Sequence, residues 1–350
     1  MIRTPRQRAK CRSGLTKVEL IVLLGIVLLA GVLLAPAILS QRGISRRVQC
    51  LSDMRNVGLA HQNYASSDNG NLLSLTKSQT ITNSAGQKGD LLMGWPIMLL
   101  PALDPPSQFE HLCATAVVES GRARINESSR VRMSAFTCAD DPSAYETPGR
   151  LSFVVNAGFI SRDLYHGDPE QKHVPGSLRW TDNAVPIDEH DVGIHVATGV
   201  IWNSSDAFQS SLDYVSDGDG TSTTILLTEN LQAGNWYDTD STRIGFGLPV
   251  SNVDGQVPLG AGAMFESAEN PLNTRFPGST FLTATPRDWQ INSGSSQNKS
   301  QPRPSSKHIG GVNYIMCDGA GRFMNDNIDP HVYIKLMTSN GVTFGERGLE

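Results

Sequence analysis

The sequence predicts an α+β protein: a long N-terminal helix, transmembrane over its first part and amphipathic over its second, followed by a globular domain with a mainly antiparallel β-sheet and long loops. Three observations lead to that reading. Residues 20–39 carry no charge. Ile44, Val48, Leu51, Met54 and Val57 then return every three or four positions, and the remainder breaks into short β-branched runs punctuated by Gly, Pro, Asn and Asp.

The N-terminus comes first. Arg3, Arg6, Arg8, Lys10 and Arg12 precede Gly14 with no acidic residue among them. Without those five, the chain has 24 basic against 34 acidic residues, a net charge of -10. A basic leader on an acidic body acts as a topological device. The acidic body argues against a general nucleic-acid binder, which needs a basic face. A helix of twenty residues is about 30 Å long, the thickness of a bilayer's hydrocarbon core, so 15–39 is expected to span a membrane once. The leader is denser in charge than Arg42, Arg46 and Arg47 on the far side, which places the N-terminus inside and the body outside. Glu19, at the mouth of the apolar run, is costly in lipid unless it finds a partner.

The amphipathic pattern extends the helix over 40–65, and Ser66-Ser67-Asp68-Asn69-Gly70 ends it. The globular domain is expected over 66–350. Residues 71–90 read as a loop or edge hairpin, Trp95–Leu103 as a short buried segment, and Phe109–Ser120 as a helix. Phe136–Pro142 reads as a strand entering an Asp-Pro turn. Leu151–Val155, closed by Asn156-Ala157-Gly158, Thr223–Thr228 and Val312–Met316 read as strands. Residues 285–306 are rich in Ser, Asn, Gln and Pro and predict a flexible surface loop.

Beyond the leader lie Cys50, Cys113, Cys138 and Cys317. On the outer side of a membrane they can form one or two disulfides, with three pairings that sequence does not separate. No C-x-x-C occurs, so no structural zinc site of that spacing is expected. Ser216–Ile225 has Asp217 and Asp219 in a Gly-rich loop, the nearest approach to a calcium site. Ser222 and Thr228 stand where an EF-hand needs Gly and Glu, so a turn leading into a strand is the plainer reading. His166, His173, His190 and His195, beside Asp188, Glu189 and Asp191, fit no H-E-x-x-H helix and read as a polar loop rather than a transition-metal site.

Gly14-Leu15-Thr16-Lys17-Val18-Glu19-Leu20 resembles the type IV prepilin processing signal, with Leu15 in place of phenylalanine and Lys17 at a commonly apolar position. The resemblance implies cleavage after Gly14, methylation of Leu15, and pairing of Glu19 with the N-terminal amine of a neighbouring subunit. His308, nine intervening residues and Asp318-Gly319 match the H-x9-D-G signature that accompanies such leaders in the DUF1559 family. Arg46–Cys50, Asn56–Tyr64 and the D-G-T-S segment at Asp219–Ser222 resemble the same family.

That resemblance implies a pilin-like or pseudopilin-like subunit of a type IV pilus or type II secretion-like system. Its partners would be a prepilin peptidase, other pilin-like subunits and an inner-membrane assembly machinery. It would be a single-pass inner-membrane protein with the N-terminus cytoplasmic and the globular domain periplasmic or in a surface fibre. No cofactor is expected. The other reading is a membrane-tethered module that binds a polysaccharide or other solute, with Trp95, Trp180, Trp202, Trp236 and Trp289 as stacking surfaces. An enzyme would need His308 and Asp318 to converge with a nucleophile, and the sequence identifies none.

Overall fold

A computed structural model describes residues 16–103, 107–161, 173–175, 189–204, 208–250, 291–292 and 303–341. The chain divides into two units, Met1–Ser45 and Arg46–Glu350. Helix α1 spans Lys17–Ser67. Thr16 caps it: the Glu19 amide donates to Thr16 Oγ1 at 3.3 Å, while Glu19 Oε2 accepts from the Thr16 amide at 2.8 Å, a reciprocal capping box. In the first unit the large apolar side chains from Val18 to Val32 are all at least half exposed, from 50% at Leu20 to 73% at Val32. Among the described residues no helix is long and apolar enough to cross a membrane.

In the second unit, Cys50, Met54, Val57, Ala60, His61 and Ala65 form the buried stripe of α1. The expected stripe started two turns earlier, but Ile44 and Val48 are exposed. The helix stops where expected, since Asn69 and Gly70 both take positive φ, a left-handed reversal a helix cannot continue through.

The β-structure is mainly antiparallel, as expected, but forms two sheets rather than one, each with a single parallel pairing. One has the order β1-β2-β4-β3, with β1 Thr76–Thr82, β2 Lys88–Gly94, β3 Val117–Glu119 and β4 Arg122–Arg124. The other has the order β7-β5-β6-β8-β9, with β5 Phe153–Ser161, β6 Ile225–Glu229, β7 Gly245–Val250, β8 Gly311–Met316 and β9 Gly321–Asn325. All pairings are antiparallel except β2 with β4 and β5 with β7. Strands β6 and β8 are buried along their whole length, which explains why apolar residues stand on both faces of each, with Thr228, Glu229 and Asn313 as buried polar exceptions.

Helix α1 lies along β8. Gln62 donates to the Cys317 carbonyl, Asn313 donates to the Arg47 carbonyl at 3.2 Å, and Gly58 allows contact with Ile315. A Cβ at Gly58 would lie 2.7 Å from Ile315 Cγ2, so the glycine that weakens the helix locally is what lets it dock.

Four expectations need correction. The helix expected over Phe109–Ser120 runs Ser107–Thr115 and gives way to β3. Phe136–Pro142 is not a strand: a 3-10 turn at Ser134–Phe136 leads into a loop whose Asp141 accepts from the Ser143 amide. Gly158 does not close β5. It sits at φ 65° in a bulge of that strand, where register to β7 shifts between Asn156 and Phe159. The described residues of the expected surface loop 285–306 reach into the core, with Ile291, Arg303 and Ser305 all buried; Ser305 donates its amide to the Glu229 carbonyl at the end of β6.

Candidate functional site

The H-x9-D-G signature does not form a His–Asp pair. His308 precedes β8 and Asp318 follows it, so the strand holds them apart. Asp318 and Gly319 (φ 83°) make the β8–β9 turn, with Asp318 Oδ1 accepting from the Ala320 amide at 2.8 Å. That half of the signature is a hairpin turn.

His308 instead enters a buried cluster drawn from four parts of the chain. Its Nε2 lies 2.9 Å from Glu229 Oε1 and 3.5 Å from Cys138 Sγ. Its Nδ1 lies 3.3 Å from Asp140 Oδ2, an ion-pair distance without hydrogen-bond alignment. Glu229 ends β6 and is itself anchored by the Asn313 amide at 2.7 Å and Asn313 Nδ2 at 3.2 Å. Arg46 reaches the outer oxygen of Asp140 at 3.0 Å. Burial alone would lower the pKa of His308, but the hydrogen bond and charge of Glu229, with the charge of Asp140, outweigh it and the net shift is upward.

Cys50, on α1, and Cys138, in the loop, form a disulfide beside this ring, while Cys113 and Cys317 are free thiols. The Ala139 amide donates to Cys50 Sγ at 3.1 Å and the Asp140 amide to Cys138 Sγ at 3.4 Å. A small cavity lined by Cys138, Asp141, Ser152, Glu229, Asn230 and Ser305 adjoins the cluster.

Sequence reasoning named His308, Cys50 and Cys138 but not their partners Glu229 and Asp140. One signal was available for Glu229, a carboxylate ending an otherwise apolar strand.

The remaining candidates fall elsewhere. Asp219 is occupied by the chain, accepting from Thr338 Oγ1 at 2.7 Å and the Gly341 amide at 2.8 Å, and so ties down the C-terminal segment. Asp217 ends the helix Leu212–Asp217. His173 and His195 are not on a polar loop: both are buried with ring centroids 5.7 Å apart, and each packs 4.7 Å from Trp202, His173 tilted over its face and His195 edge-on. Asp191 is buried and Glu189 exposed. Gly14, Leu15, His166, Trp180, Asp188, Trp289 and the His190 side chain lie outside the described residues.

The structure therefore defines an α+β domain whose first helix, two adjacent sheet strands and one loop meet at a buried His–carboxylate–disulfide cluster. The chain belongs to the DUF1559 family, described as proteins of unknown function, which it matches over residues 40–331. Neither the curated proteins nor the solved structures contain a match to it.

Proposed function

We propose that the chain is a membrane-anchored, pilin-like or pseudopilin-like structural subunit, processed after Gly14 and assembled through its N-terminal helix. The observation that carries this is the exposure of every large apolar side chain described between Val18 and Val32. A helix apolar on all sides needs lipid or neighbouring helices around it. The uncharged run continues to Leu39, beyond the last described side chain of that stretch. Glu19 fits the same reading. Its carboxylate is held at the helix start by Thr16, next to where cleavage would leave a free amine.

The reading places the protein in the inner membrane, with its globular unit in the periplasm or in a fibre. A disulfide in that unit agrees with an oxidising compartment. Its partners are a prepilin peptidase, other pilin-like subunits and their inner-membrane assembly machinery. A catalytic role is not part of the proposal: among the described residues the His308 ring meets carboxylates and sulfur, not a hydroxyl nucleophile. The solute-binding reading stands second. Trp95, Trp202 and Trp236 are buried, and Trp95 and Trp236 donate to the carbonyls of Ile244 and Val131 within the fold, so these three are core residues.

Intact mass of the protein recovered from membranes tests the proposal. A mature N-terminus at methylated Leu15, lost in a Gly14→Ala variant, is the expected outcome. Met1 intact on the wild-type chain rules the processing out.

A further inference from the structure

We infer that the Cys50–Cys138 pair is the oxidised form of a metal site built from two cysteines, a histidine and a glutamate, and that the reduced chain binds one zinc ion through Cys50, Cys138, Glu229 and His308. The two sulfurs, a Glu229 carboxylate oxygen and a His308 ring nitrogen all lie within 4.8 Å of one another, and all four residues are buried. Tetrahedral zinc with ligand bonds of about 2.0–2.3 Å sets its ligand atoms roughly 3.3–3.8 Å apart. The separation of His308 Nε2 from Cys138 Sγ, 3.5 Å, is already such an edge, and that from Glu229 Oε1, 2.9 Å, is slightly short of one.

The surroundings are those a metal site needs. His308 turns Nε2 into the cluster while Nδ1 faces Asp140 at 3.3 Å, so a small rotation of the ring on metal binding would complete a carboxylate–histidine–metal arrangement. Glu229 Oε2 is held by the Asn313 amide, which leaves Oε1 aimed inward. Backbone amides point at both sulfurs and would stabilise thiolates. The adjoining cavity, lined by Cys138 and Glu229, gives a way in. A disulfide beside a buried ion pair uses none of this preorganisation at sulfur.

The chemistry balances. An external dithiol gives two electrons and two protons to the S–S bond, which breaks into two thiols while the dithiol leaves as its own disulfide. Zinc then displaces one proton from each thiol, and whatever proton His308 Nε2 carries, as it binds. Arg46, at 3.0 Å from Asp140, offsets the remaining negative charge.

The test uses the full chain in detergent, carrying Cys11→Ser and Cys113→Ser to remove the leader thiol and the partly buried one, with a phosphine as reductant because it offers no competing thiolate. The phosphine takes its oxygen from water and leaves as the oxide. Zinc per chain is counted by elemental mass spectrometry after desalting, and cobalt is bound in parallel for its tetrahedral thiolate spectrum. About one equivalent is expected in the reduced chain and none in the oxidised one. Asp140→Asn should weaken binding by about 10–100-fold without changing the stoichiometry. The inference is overturned if the reduced chain takes up no zinc, or if a Cys50→Ser, Cys138→Ser double variant takes up as much. A reduced chain that loses its near-ultraviolet circular dichroism, and does not regain it with zinc, also overturns it.

Discussion

Glu229 Oε1 stands 2.9 Å from His308 Nε2, and the two residues, 79 apart in sequence, are both buried. The Glu229 carboxylate also accepts both the amide and the side-chain N–H of Asn313, so it satisfies three donors at once. Removing it would leave the buried His308 ring and two Asn313 N–H groups without their acceptor. Breaking a buried pair from one side costs about 3–5 kcal/mol. Glu229→Ala is therefore expected to lower the unfolding free energy by that order in denaturant titration, and a loss of under about 1 kcal/mol would show the pair to be dispensable.

The Cys50–Cys138 disulfide closes a loop of 88 residues between α1 and the loop after Phe136. The chain-entropy estimate for such a loop is roughly 4–5 kcal/mol. In the presence of a chelator, reduction should lower the midpoint of thermal unfolding of the globular unit. Equal midpoints for the oxidised and reduced protein would refute this.

Histidines give the stability two opposed pH dependences. Burial holds His61, His173 and His195 down, at about 3, 4 and 3, from the ordinary 6.5. Their contribution is complete above pH 6.5 and is lost as pH falls toward 4, because the unfolded chain takes up protons first. Three such groups give a slope of roughly 4 kcal/mol per pH unit at its steepest. His308, with its pKa raised, runs the other way: its contribution is complete below pH 6.5 and is lost as pH rises through its folded value. Unfolding measured from pH 4 to 8 should show both arms. His61→Phe should flatten the acid arm by about one proton, and His308→Ala should remove the alkaline one.

Gly58→Ala sets two effects against each other. Alanine gains about 1 kcal/mol of helix propensity, but its Cβ would lie 2.7 Å from Ile315 Cγ2 on the packed face. Overpacking a docked helix costs about 1–3 kcal/mol, so net destabilisation is expected, with recovery when Ile315→Val is added. A stabilised single variant would place the helix farther from β8 than the structure does.

Much of the architecture was legible because its signals are local. The helix stop at Asn69-Gly70, the apolar runs of β6 and β8 and the Asp318-Gly319 turn each follow from the conformations their own residues allow. Gly158 misled for the same reason. Glycine marks a positive φ, but whether that ends a strand or bulges it depends on the neighbour, here the Thr198 hydroxyl and the Gly199 backbone packed against it. The histidines at 173 and 195 look solvated among charged neighbours, and only the fold shows them packed against Trp202.

By itself the sequence determined the chain's family signature, its uncharged N-terminal run and the presence of four cysteines beyond the leader, of His308 and of an Asp-Gly turn, since each is read directly from the residues present. Only the tertiary structure decided that His308 meets Glu229 and Asp140 rather than Asp318, and that Cys50 pairs with Cys138 rather than with Cys113 or Cys317. The reason is physical. A six-residue strand holds the two ends of the signature apart, while the strand order β6-β8 and the docking of α1 along β8 bring distant residues into one buried cluster.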